Sequence, residues 1–167
     1  MRRMRLYKRE IRDPEILEEI LSQCQVVRIG LVDDQGMMIV PVNFGYDFTV
    51  SQGAPSLKLY IHGALEGRKA RAFARNPQVA VEMDCCHGLI SGDYTCSYSF
   101  SYRSIMGDGE ITLLKSEQDK IYGLRKIMEH IAPEAKISFQ PHMLERTGVY
   151  CIQVHSFTGK ERRPKPL

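Results

Sequence analysis

Residues 26–64 read VVRIGLVDDQGMMIVPVNFGYDFTVSQGAPSLKLYIHGA. Val27, Ile29 and Leu31 alternate with polar or small neighbours, the period of a half-buried strand. Asp33-Asp34-Gln35-Gly36 is turn chemistry, so the next run folds back as the second arm of a hairpin. In that run, MMIVPVNFGYDF, the side chains of Val40, Val42, Phe44, Tyr46 and Phe48 share one face. Pro41, Asn43, Gly45 and Asp47 share the other. SQGAPS is a second turn, and Leu57, Leu59 and Ile61 resume the alternation. Strands joined by hairpin-length turns predict an antiparallel sheet and exclude the βαβα order of a doubly wound fold.

Outward from this stretch the pattern is mixed. Asp13-Pro14 is a helix start, followed by Ile16, Leu17, Ile20 and Leu21 at helical spacing, with an end near Cys24. GALEGRKARAF reads as a helix closed by Asn76-Pro77. QVAVEMD is a strand, and Cys85 to Thr95 reads as a loop. CSYSFSYRSIMGDGEITLL is a long β-rich segment. Ser116, with Asp119 three residues on, caps a helix through Ile121, Leu124, Ile127, Met128 and Ile131. A short helix is predicted over Pro141–Arg146, then a last strand, GVYCIQVHS. The result is a mainly β fold with flanking helices: about six strands in a small antiparallel barrel, helices outside.

The 167 residues, 43% apolar and 26% charged, fit one soluble globular domain. No apolar run approaches the roughly 20 residues of a membrane-spanning helix. MRRMRLYKRE lacks the apolar stretch of a signal peptide, so the five cysteines read as reduced thiols of a cytoplasmic protein. The net charge of +3 is unevenly spread. Residues 1–10 carry five basic side chains and 160–167 carry four, leaving 14 basic and 18 acidic residues between them. The expected organisation is a basic arm over 1–12, a domain over 13–159 and a basic tail over 160–167. The arms could touch nucleic acid, but the body has no basic and aromatic face, so no nucleic-acid or membrane partner is expected.

Four places could carry chemistry. Pro41 cannot donate to a sheet ladder and Gly45 weakens one, so a pairing gap is expected there. His62-Gly63-Ala64 runs from a strand into a helix. Its small residues let a ligand approach the backbone, and a helix N-terminus suits phosphate. On that helix Leu65, Lys69 and Phe73 share a face, so Lys69 must reach water or meet an anion; Arg68 lies beside it. In YSFSYRS, Tyr98, Phe100 and Tyr102 point one way and Ser99, Ser101 and Arg103 the other. That pattern is either an aromatic core face with a solvated polar one, or a polar face placed on a ligand or partner. Cys85-Cys86-His87 with Cys96 does not match zinc spacing, so no metal is expected.

Together LVDDQGMMIVPVNFGYDF, LYIHGALEGRKARAFARNPQVAVEMDC and CSYSFSYRSIMGDGEI resemble the nitroimidazole-resistance family of FMN-binding split-barrel proteins, relatives of pyridoxamine phosphate oxidase. The likeness spans about residues 8–160. The resemblance implies a six-stranded antiparallel split β-barrel of the FMN-binding type, a homodimer with flavin at the interface. It implies that the backbone at Val40, Val42 and Asn43 faces the isoalloxazine ring, and that His62, Gly63 and Ala64 line the ribityl-phosphate. Arg68 and Lys69 would bind the phosphate, and Ser99 and Arg103 would reach the flavin or its phosphate, across the dimer if need be. The position of His62 is linked in the family to substrate handling, a catalytic role carried here as an expectation.

The expected activity is that of an FMN-dependent oxidoreductase. It would reduce nitroaromatic or other small planar acceptors through flavin N5, with NAD(P)H as donor. Two other readings stay open: a flavin- or haem-binding protein without turnover, and a pyridoxamine phosphate oxidase-like enzyme.

Overall fold

A computed structural model of the chain describes residues 5–163. The arm residues 1–4 and 164–167 lie outside the described residues. Helix α1 (Pro14–Gln23) starts as its sequence dictates: an Asp13 carboxylate oxygen accepts the Glu15 N–H at 3.0 Å, with proline in the first turn. Its apolar stripe, Leu17, Ile20 and Leu21, is buried. Helix α2 covers Arg68–Arg75, α3 Glu117–Ile131 and α4 Pro141–Arg146.

One antiparallel sheet holds eight strands, two more than the sequence pattern suggested. They are β1 (Glu10–Ile11), β2 (Val26–Asp33), β3 (Gly36–Asn43), β4 (Gly45–Ser51), β5 (Ala54–Ala64), β6 (Gln78–Ile90), β7 (Ser99–Leu113) and β8 (Thr147–Arg162). Their order is β3-β2-β6-β7-β8-β5-β4, with β1 added on β8. The run MMIVPVNFGYDF is two strands, not one, because it breaks at Phe44. The sheet therefore begins and ends on consecutive strands, joined by one fully buried residue, and among the described residues no pairing closes β3 on β4. This is the gap that Pro41 and Gly45 foretold.

Gly45 has a second reason to be glycine. A Cβ there would lie 2.2 Å from the carbonyl carbon of Lys126, so α3 rests directly on the backbone of β4. Asp47 fixes the same contact. It accepts hydrogen bonds from the hydroxyls of Tyr60 (2.8 Å) and Tyr122 (2.9 Å) and pairs with Lys126 at 3.0 Å. Burial pushes its carboxyl up, but those three partners outweigh burial and hold it below the ordinary value. The core fills the barrel with Val27, Ile29, Leu57, Leu59, Ile61, Met83, Ile105 and Ile152, all sealed from solvent. Each such side chain contributes roughly 1.5–3 kcal/mol by burial.

Other boundaries moved as well. The segment after Cys85 continues as strand to Ile90, across a bulge between Cys85 and Gly88. Residues 63–67 are not helical: β5 runs to Ala64, Gly67 takes φ 107°, and α2 begins at Arg68. Leu65 is thus off the helix and exposed, while Phe73 is buried. Residues 10–11 and 160–162, assigned to the two arms, pair with one another and with β7 as strand. On β7 the faces are reversed: Tyr98 and Phe100 are half exposed, and Ser101 and Arg103 are buried.

Candidate functional site

The end of β5 carries His62, Gly63 and Ala64, paired with Val149, Gly148 and Thr147 of β8. His62 and Ala64 are exposed. Over Gly63 lies the side chain of Lys69, from the first turn of α2. A Cβ on residue 63 would come within 2.9 Å of Lys69 Nζ and 3.4 Å of its Cε. The missing side chain is what lets the ammonium lie against the strand. Among the described residues Lys69 has no ion pair and no hydrogen bond. Its neighbour Arg68 is different. Its Nε and Nη2 donate to the Asp33 carboxylate at 2.6 and 2.9 Å, a two-pronged pair that ties the β2–β3 turn to the start of α2. Arg68, with the Gln35 N–H adding to it against burial, holds the Asp33 carboxyl down at about 2.

The turn before α2 adds donors. Gly67 occupies the left-handed region that favours glycine, no side chain caps the helix, and its first backbone hydrogen bond is Arg71 N–H to Gly67 O at 3.1 Å. The N–H groups of Arg68, Lys69 and Ala70 are therefore the unpaired ones of a helix start. An unpaired ammonium, a bare glycine backbone and free helix N–H groups at one place form an anion cradle.

On β3, Val40 and Val42 turn their side chains to the core. Only one edge of this strand is paired, with β2, so the backbone of the other edge is open. Asn43 is exposed, and its Nδ2 donates to Gln25 O at 2.9 Å. The open edge of β3 and the cradle are linked by the Arg68–Asp33 pair.

Ser99 and Arg103 lie elsewhere. Arg103 is 8% exposed and grips Glu19 of α1, Nη1 to Oε1 at 2.8 Å and Nη2 to Oε2 at 3.0 Å, with Glu161 Oε2 3.5 Å from its Nε. Tyr102 pairs with Arg162 at the far end of β8, whereas Gly63 pairs with Gly148. That separation is roughly 45 Å along the strand at about 3.3 Å per residue. One chain does not bring Ser99 and Arg103 to the cradle. Sequence reasoning missed Asp33 and Glu19 as the carboxylates that occupy the two arginines. Asp33 looked like turn chemistry, and nothing marked Glu19.

The architecture is that of a split β-barrel. The chain belongs to the pyridoxamine 5'-phosphate oxidase family, whose model matches residues 13–161. Solved structures agree with the fold. A candidate 5-nitroimidazole antibiotic resistance protein from Bacteroides thetaiotaomicron is 28% identical over 91% of this chain and 86% of that one, with a TM-score of 0.77. The flavocytochrome Anf3 from Azotobacter vinelandii is 21% identical over 99% of this chain and 74% of that one, TM-score 0.79. An FAD- and haem-binding protein from Mycobacterium smegmatis is 20% identical over 95% and 76%, TM-score 0.79. No curated protein matches significantly. No helix among the described residues is long and apolar enough to cross a membrane.

Proposed function

We propose that the chain is an FMN-dependent oxidoreductase acting on nitroaromatic or other small planar acceptors. The observation that carries the cofactor is the cradle: Lys69 lies unpaired over the bare backbone of Gly63, next to the open start of α2. Lys69 and the helix N–H groups would bind the FMN phosphate, with Arg68 holding the cradle to Asp33 and adding its charge. Gly63 and Ala64 would let the ribityl chain lie close, and His62 would stand at its edge toward substrate. The open backbone edge at Val40, Val42 and Asn43 would meet the ring. When bound, FMN would take reducing equivalents from a nicotinamide nucleotide and deliver them to the acceptor. The residues of this chain hold and orient the cofactor, and none is required to transfer a proton.

The same reading includes a homodimer. Ser99 and Arg103 could join a flavin site only from a second copy. An apolar groove of about 810 Å³ between the β2–β3 turn and β6, beside the exposed Met37 and Ile39, offers a surface for that copy. The likeness to the Bacteroides protein favours the nitroaromatic acceptor, and the likeness to flavin- and haem-binding barrels keeps binding without turnover as the rival. The test is an absorption spectrum of the freshly purified protein, with mass identification of whatever denaturation releases. It is followed by NADPH oxidation with and without a nitroimidazole. Flavin bands, released FMN and acceptor-dependent oxidation are expected. A Soret band, or flavin without turnover, moves the assignment to the rival; a colourless protein that fails to bind added FMN removes the cofactor assignment.

A further inference from the structure

The bulge in β6 creates a second site. Cys85 pairs with Arg103 and Gly88 with Ser101, so Cys86 and His87 together oppose Tyr102. Cys86 is exposed and sits at φ 59°, the left-handed region that a cysteine rarely adopts. Its side chain lines a pocket of about 260 Å³ with Glu19, Arg103, Arg162 and Arg163. Three guanidiniums thus meet one carboxylate in its wall. Arg103 spends two nitrogens on Glu19, and its buried Nε has no hydrogen-bond partner. Arg163 is paired with Glu161 at 3.0 Å, outside the pocket lining, and Arg162 has no ion pair among the described residues. A buried unpaired donor in an electropositive pocket calls for an acceptor. An exposed thiol stands beside it.

We propose that Cys86 is a site of reversible S-thiolation by acidic low-molecular-weight disulfides, whose carboxylates are held by Arg162 and Arg163 and by the free Nε of Arg103. The site stands apart from the flavin reading, since it lies at the other end of β8 from Gly63. In the step, Cys86 gives its proton to water and its sulfur attacks one sulfur of the incoming disulfide. The old S–S bond breaks, a Cys86–S–S–R bond forms, and the other half leaves as a thiolate that takes up a proton. Cys86 is oxidised and the departing thiol is reduced, so the disulfide is the only oxidant required. The neighbouring thiols do not undo the adduct. Cys85 Sγ is 3.5 Å from Cys86 Sγ, but burial pushes the Cys85 thiol up, and burial pushes Cys24 up to about 11. Both stay protonated and unreactive at neutral pH.

The test treats the full chain with oxidised glutathione and, separately, with the neutral hydroxyethyl disulfide, following intact mass and mapping the modified peptide. Cys96, exposed and outside this pocket, is the internal control. Glutathione is expected to give one adduct per chain, at Cys86. Changing both Arg162→Gln and Arg163→Gln should slow glutathionylation roughly tenfold relative to the neutral disulfide, the loss expected for two charge contacts near a surface. The matching double change to lysine should restore most of the ratio. The neutral reagent reports thiol accessibility in each variant, so a misfolded variant cannot mimic the result. Cys96 reacting as fast as Cys86, or the same ratio of the two reagents in the wild type and the glutamine variant, would overturn the proposal.

Discussion

Replacing Gly63 by alanine separates the role of the glycine from its effect on folding. The new methyl carbon would sit 2.9 Å from Lys69 Nζ and 3.4 Å from Cε. Ordinary contact needs about 3.5–4 Å, so the ammonium must retreat by roughly half an ångström or more. The displaced atom is the tip of a flexible side chain, so the fold loses little. Alanine in a strand also recovers about 0.5–1 kcal/mol of backbone entropy relative to glycine. Thermal stability should therefore stay within a few degrees. Ligand binding should not. A hydrogen bond to a charged group contributes about 1.5–3 kcal/mol, and losing part of it raises Kd roughly 3- to 10-fold. Quenching of FMN fluorescence on titration of the apoprotein measures this directly. The decisive comparison is the double variant, because a glycine that acts through Lys69 has nothing left to act on once the ammonium is gone. Equal loss of FMN affinity from Gly63→Ala in the wild-type and Lys69→Ala backgrounds would refute the coupling, and no loss in either would refute the cradle.

Lys69→Ala alone should raise the Kd for FMN roughly 10- to 100-fold without changing the far-UV circular dichroism, read by the same titration. Gly45→Ala should be the most damaging small change in the molecule. Its methyl would meet the backbone of α3 at 2.2 Å, and overpacking against a main chain costs about 3 kcal/mol or more, seen as a lower urea midpoint. Asp33 predicts an acid limit: its folded pKa, held at about 2, is depressed, so the stability from its pair with Arg68 is present above about pH 4 and is lost as pH falls toward 2. The Asp33→Asn variant should show a flatter melting temperature across that window, and an unchanged slope would count against the tether.

Much of this molecule is legible in its sequence where a local rule acts alone. Asp13-Pro14 and Ser116 start helices because a side-chain oxygen accepts a backbone N–H nearby, at 3.0 Å for Asp13 and 3.1 Å for Ser116. The Asp33–Gly36 turn pairs its own ends. The failures share one cause: period-two alternation defines two faces and does not say which is buried. On β7, Arg103 and Ser101 continue the inward face of Ile105, under α1, where Glu19 neutralises the guanidinium. The aromatic residues of YSFSYRS take the other face. Likewise the start of α2 is set by the length of β5 and its pairing with β8, which no helical pattern in GALEGRKARAF reveals. At the cradle the residue types were readable, but their arrangement was not: Arg68 is occupied and Lys69 is free.

The one-residue join at Phe44 leaves both ends of the sheet as edges, and it makes the molecule uneven in time. Amides of β7 and β8 are flanked by strands on both sides, whereas β3 and β4 each hold to a single neighbour. Local opening, and with it exchange of amide hydrogens for deuterium, should be fastest at those two edges and slowest in the middle. Val40, Val42 and Asn43 lie on a fast edge. A molecule that settles there acts as a missing strand, and its arrival would be recorded as slowed exchange along β3 before any change in the barrel's centre.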